Sequence, residues 1–210
     1  MRRWFAPAIV LCCLAFSAAL LRADDWPGPI QTQVFSQDGG RFVRILPGDS
    51  ISDTVGFAGA AKGSYARAEL YRRQPDRSYT LVADIELVNP VAPVEALLSN
   101  TGVLITFDNW HNAGYGKVVA IYSAQGKRLA AKELKDLYSA ESIEAVPSSV
   151  SSRWWRCRPL GWSDPAKQTK VFVHEFRGGY FVFDLTDGSH RYDAGSAPCE
   201  ERIATTSSRR

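Results

Sequence analysis

The sequence predicts a mainly β fold of antiparallel sheets, arranged as a β-sandwich or a partial-propeller-like stack, with one or two short helices. Three observations carry that prediction. Short apolar runs rich in Val, Ile, Tyr and Phe recur along the chain, and these residue types fit a pleated sheet better than a helix. Several of the runs are led by glycine: Gly40-Arg-Phe-Val-Arg-Ile45, Gly102-Val-Leu-Ile-Thr-Phe107, Gly116-Lys-Val-Val-Ala-Ile121 and Gly179-Tyr-Phe-Val-Phe183. Turn signals separate them, among them Asp38-Gly39-Gly40, Pro47-Gly48, Pro75-Asp76-Arg77 and Asp187-Gly188.

Taken in order, residues 1–23 have the layout of a secretory signal peptide. Arg2 and Arg3 precede an apolar run from Trp4 to Leu21, and Arg22-Ala23 leads into Asp24-Asp25. The expectation is an exported, β-rich single domain over 24–210, with an ordered core at about 30–200 and no transmembrane segment once the leader is removed. Asp24 to Pro29 reads as a loose N-terminus. Ile30 to Phe35 and Arg41 to Leu46 read as strands, Ser50 to Val55 as a short edge strand, and the glycine-rich stretch 56–63 as a loop. Tyr65 to Gln74 and Ser78 to Asn89 read as a hairpin. Simple alternation places Tyr79, Leu81, Ala83, Ile85 and Leu87 on its core face.

Pro90 and Pro93 interrupt the chain and leave room for a short element at Glu95 to Leu98. Val103 to Phe107 and Lys117 to Ser123 are the firmest strands, followed by a turn and by Arg128 to Ala131. Lys132 to Tyr138 is the best helix candidate, since Leu134, Leu137 and Tyr138 cover one stripe. Ser139 to Ser152 reads as a loop ordered briefly around Ile143, and Pro159 to Lys167 as turns. Lys170 to Phe176 and Tyr180 to Leu185 read as a hairpin, with a last strand at His190 to Asp193. The count comes to about eight to ten strands.

Charge and cysteine usage narrow the function classes. The formal net charge of +3 is supplied by the leader arginines alone, leaving a nearly neutral exported chain whose charges are mixed in sign along its length. A nucleic-acid binder needs a positive footprint against the phosphate backbone, so no nucleic acid is expected. Of four cysteines, Cys12 and Cys13 fall in the leader, which leaves Cys157 and Cys199 to pair as a disulfide in an oxidising compartment. Closing so long a loop contributes about 4 kcal/mol in the loop-entropy account.

The stretch between the two firmest strands, Asp108-Asn-Trp-His-Asn-Ala-Gly-Tyr-Gly116, is the densest in chemistry-bearing residues. A long connection at one end of a sheet is where binding loops sit on a scaffold. Asp108, Asn109, Trp110, His111 and Tyr115 are therefore candidate binding residues, joined by Trp154 and Trp155 of Arg153-Trp-Trp-Arg-Cys157. The competing account is structural: Asx turns at Asp108 and Asn109, with the aromatic residues closing the core. No catalytic residue, metal site or cofactor is assigned. His111, His174 and His190 lack metal-ligand spacing, and no Gly-x-Ser-x-Gly elbow is present.

Thr106-Phe-Asp-Asn-Trp-His-Asn-Ala-Gly-Tyr-Gly116, with Ser151-Ser-Arg-Trp-Trp155 downstream, resembles exported bacterial proteins of uncharacterised function built from short propeller-like strand units. The resemblance covers about residues 95 to 195. It implies a β-rich architecture and a bacterial periplasmic or extracellular location, and carries no catalytic residue over. The function expected is a noncatalytic exported binding or structural module whose partner is a peptide, carbohydrate or cell-envelope component. The alternative is a hydrolase using Asp108 and His111 with a carboxylate such as Glu175. Oligomeric state is not set by the sequence.

Overall fold

The computed structural model describes residues 28–50, 61–157 and 160–195. The expected leader at 1–23, most of the expected strand at Ser50 to Val55, and Cys199 of the expected disulfide lie outside them. Among the described residues, twelve strands form three four-stranded antiparallel sheets. Sheet 1 contains β1 (Thr32–Phe35), β2 (Arg41–Leu46), β3 (Arg67–Arg73) and β4 (Tyr79–Glu86). Sheet 2 contains β5 (Pro93–Leu98), β6 (Leu104–Asn109), β7 (Val119–Tyr122) and β8 (Arg128–Lys132). Sheet 3 contains β9 (Gly161–Trp162), β10 (Lys170–His174), β11 (Tyr180–Asp184) and β12 (His190–Asp193). In each sheet the strands pair in chain order, the up-and-down grammar of a propeller unit.

The sheets stack, and side-chain alternation explains the stacking. Sheet 2 is the middle layer, with every residue of β6 and β7 buried. Ile105, Phe107, Val119 and Ile121 point to one side and share a core with Val171, Val173, Phe181 and Phe183 of sheet 3. Leu104, Ala120 and Tyr122 point to the other and pack on Val43, Ile45, Ala68 and Leu70 of sheet 1. A strand covered on both faces needs apolar residues at both parities, which is why these two runs are nearly continuous rather than alternating. The Tyr122 hydroxyl accepts the Val88 N–H at 2.8 Å across this second core, and burial pushes its pKa up to about 12.

Four local expectations are corrected. A bulge between Leu70 and Tyr71 sets Ala83 opposite Leu70 but Leu81 opposite Tyr71, so Val82 is the extra residue. Tyr79 and Leu81 therefore leave the core face that Ala83 and Ile85 keep, and Leu81 is 52% exposed. Lys132 to Tyr138 is not an α-helix. A capping box between Glu133 and Asp136 closes a single 3-10 turn, Leu134–Asp136, while the short helix α1 (Ala140–Glu144) starts on the Ser139 cap. Leu134 and Tyr138 still bury their side chains as the stripe requires.

The edges account for the other two. β5 begins at Pro93, because the first residue of an edge strand need not donate to a ladder. The turn-rich stretch after Pro159 contains β9, whose Gly161 lies directly under the Phe172 ring. No helix among the described residues is long and apolar enough to cross a membrane.

Candidate functional site

The 108–116 connection leaves β6 at the end of the middle sheet and returns to β7. Its root is held by buried polar contacts. Asp108, 3% exposed with φ +57°, accepts hydrogen bonds from Gly114 N (3.0 Å), Trp155 Nε1 (2.7 Å) and Arg156 Nε (2.7 Å). The Arg156 guanidinium also donates to Glu95 Oε2 at 3.1 Å and lies 5.3 Å from the centre of the Phe107 ring. A buried guanidinium between two carboxylates and an aromatic face has its charge compensated on the spot. Asn109 is equally committed: its Nδ2 donates to Tyr115 O at 2.6 Å and its Oδ1 accepts from Asn89 Nδ2 at 2.8 Å. Asn89 Nδ2 also reaches Asp108 O at 2.8 Å, tying the loop root to sheet 1.

The loop is pinned from the other side by the segment Arg153 to Cys157. Arg153 N donates to Ala113 O at 2.7 Å, and Gly114 sits so close that a Cβ there would stand 2.4 Å from Arg153 O. With φ +78° as well, position 114 requires glycine. The segment is extended without being a full strand, bridging to Glu175 through Arg156. Its two tryptophans part company: Trp155 is 1% exposed and Trp154 39%.

The crest differs. His111 is half-buried with φ +70°. Trp110 donates its N–H to Ala92 O and lines an apolar groove of about 240 Å³ with Ile30, Val34 and Pro93, between β1 and β5. Tyr115 lies under the Arg153 guanidinium, 4.7 Å from the ring centre, and faces a different cleft. That cleft encloses about 430 Å³ between sheets 1 and 2. Tyr65, Glu86 and Pro90 form one wall; Asn109, Asn112, Tyr115, Lys117, Arg128 and Glu133 form the other. Lys117 Nζ and Lys135 Nζ each stand 2.7 Å from the Glu133 carboxylate and hold its pKa down to about 2.

Glu175 belongs to a separate cluster. It is fully buried and accepts from Gly179 N (3.2 Å), Tyr192 OH (3.2 Å) and Arg177 Nε (3.4 Å), with Tyr138 OH also 3.4 Å away. Burial and the Glu175 charge raise the Tyr138 phenol well above its ordinary range. Trp155 separates the two clusters, giving its indole N–H to Asp108 and its carbonyl to Tyr138 OH. The hydrogen bonds of Asp108 and Glu175 thus run to different partners rather than to one another or to His111. Among the described residues no group of three or more His, Cys, Asp or Glu side chains is placed to hold a metal ion.

Sequence reasoning missed Arg156, Glu95, Asn89 and Lys117. Arg156 had a usable signal, a charged residue set directly between Trp155 and Cys157; the others had none. No protein family and no curated protein matches the chain. A solved structure described as the crystal structure of HIRA(644-1017) is similar over 81% of this chain, at 13% sequence identity and a TM-score of 0.42; the similarity covers 43% of that chain, less than half its length.

Proposed function

We propose that the protein is a noncatalytic exported binding module that takes a peptide or carbohydrate of the cell envelope in the cleft between sheets 1 and 2. One observation carries this reading. The cleft combines two tyrosine rings, Tyr65 and Tyr115, with the amide of Asn112 and the charged ends of Lys117, Arg128 and Glu133. A few convergent polar groups beside aromatic surface suit a polar, partly flat ligand. Hydrolysis has less support, because the carboxylates it would use, Asp108 and Glu175, are already occupied by internal donors. A general acid or base must have a free edge within hydrogen-bond reach of the substrate.

Export supports the same reading. The leader layout of residues 1–23 would deliver the chain to a bacterial periplasm or beyond, where Cys157 would pair with Cys199. Non-reducing peptide mapping of the exported protein should return a Cys157–Cys199 cross-linked peptide and an N-terminus after Ala23.

Calorimetric titration of the purified protein with envelope oligosaccharides and with short peptides tests the binding claim. Saturable binding by one class, weakened about tenfold or more by Tyr115→Ala at unchanged fold, is the expected result. Absence of binding across both classes, or binding indifferent to Tyr115→Ala and Lys117→Met, would remove the cleft as the site.

A further inference from the structure

The cleft between sheets 1 and 2 is edged by cations that no carboxylate neutralises, and a break in strand register puts the first of them there. In the β7–β8 ladder Ile121 pairs with Ala130 but Tyr122 pairs with Arg128, so Leu129 is the extra residue of a bulge. Unbroken alternation from Ala131, which packs on the sheet 1 side, would put Leu129 on that side and Arg128 on the other. The bulge instead sends Leu129 to the core shared with sheet 3 and turns Arg128 towards sheet 1, on the face of Tyr122. There Arg128 lines both the 430 Å³ cleft and an adjoining hollow of about 320 Å³. It is exposed and has no ion pair among the described residues.

The two tyrosines of the cleft each hold another cation. Lys62 Nζ lies 4.8 Å from the centre of the Tyr65 ring, and the Arg153 guanidinium 4.7 Å from that of Tyr115. Neither has a carboxylate partner among the described residues. An aromatic face steadies a cation without cancelling its charge. The carboxylates of the lining do not cancel it either. Glu133 is already shared by Lys117 and Lys135, while Glu86 stands opposite Arg67 on β4, on the face of Asp84 and away from Ala83 and Ile85. One bulge and two cation-holding rings thus set three uncompensated positive charges in or against the lining of one cleft.

We propose that the cleft selects an acidic peptide, an extended segment whose Asp and Glu side chains meet Arg128, Arg153 and Lys62. This rests on the reading of the cleft as the binding site and narrows its ligand to one class. Guanidinium groups take carboxylates through paired hydrogen bonds, and carboxylates on flexible side chains reach cations at separate points along a cleft. A neutral sugar brings no group to match them, and a basic peptide is repelled. Charge matching of this kind favours encounter with the right partner and weakens as salt screens it.

Calorimetric titration of the full exported chain at low salt tests this, with capped poly(Glu-Ala), poly(Gln-Ala) and poly(Lys-Ala) peptides of equal length and with oligogalacturonate as an acidic sugar. The Glu-Ala peptide is expected to bind about tenfold or more tighter than the Gln-Ala peptide, and the Lys-Ala peptide not to bind. Arg128→Gln and Lys62→Gln should each weaken the Glu-Ala peptide about fivefold, and Arg128→Lys should recover part of that loss. Arg72→Gln, an exposed arginine opposite Thr80 at the other end of β4, should change nothing. An equal loss in Arg72→Gln would mean attraction by the surface at large and overturns the proposal, as does preference for oligogalacturonate over the Glu-Ala peptide. Binding of a neutral peptide or sugar that Tyr115→Ala weakens and Arg128→Gln does not overturns charge selection alone and leaves the cleft as the site. Absence of any binding sensitive to Tyr115→Ala overturns both. Circular dichroism controls for folding; if Arg128→Gln does not fold, Lys62→Gln gives the same readout.

Discussion

The root and the crest of the 108–116 loop are built from the same residue types to opposite ends. At the root, Asp108 and Asn109 are buried and bonded to Trp155, Arg156, Gly114, Asn89 and Tyr115. At the crest, Trp110, His111 and Tyr115 are half-buried, and Trp110 and Tyr115 each line a groove. The difference teaches that a polar, aromatic motif is divided by burial before it is divided by chemistry. Groups with reactive potential become structural once donors surround them, and less reactive ones are left to meet a ligand.

The sharpest way to break this division is Asp108→Ala. It removes one of the two carboxylates that compensate the buried Arg156 guanidinium and strips the acceptor from the Trp155 indole, so a loss of about 3–5 kcal/mol is expected in urea unfolding. Asp108→Asn keeps an acceptor and should lose less. Next comes Gly114→Ala, which asks a side chain to enter the left-handed region against the Arg153 carbonyl; a loss of about 2 kcal/mol or more is expected. At the crest, Tyr115→Ala should cost about 1 kcal/mol or less, the scale of its contact with Arg153, while weakening any ligand bound in the cleft. If Tyr115→Ala destabilised the fold as much as Asp108→Ala, the distinction between root and crest would collapse.

The smallest effect is one of pH. Glu133 titrates near 2 instead of its ordinary 4.5 because Lys117 and Lys135 favour its charged form. A depressed carboxyl stabilises the folded state fully above the ordinary value, and that contribution is lost as pH falls from 4.5 towards about 2. Carboxyl NMR should place the Glu133 midpoint below that of exposed glutamates. Lys117→Met should move it back towards the ordinary value and remove that contribution at neutral pH, a small loss because the pair is exposed and screened by solvent.

Much of the fold was legible because its information is local. The arms Val103 to Phe107 and Lys117 to Ser123 became β6 and β7, and Asp187-Gly188 turned β11 into β12. The bulge at Val82 was not legible, since alternation assumes an unbroken register and nothing in Tyr79 to Leu87 shows where one residue is inserted. β9 was too short for any periodicity to mark it. At the loop the residues were legible but their roles were not. Asp108 finds its partners 47 and 48 positions away, and only folding reveals that they surround it.

The pairing of strands in chain order has a consequence for how the protein is made. Among the described strands every ladder joins neighbours in sequence, so each sheet can assemble from a chain segment already synthesised, with short loops to close. Docking is the non-local step, and it falls hardest on the middle layer. From the completion of β8 until Val171 and Phe183 arrive, Ile105, Phe107 and Ile121 lack the sheet 3 half of their core. That interval is when the nascent chain is most open to aggregation.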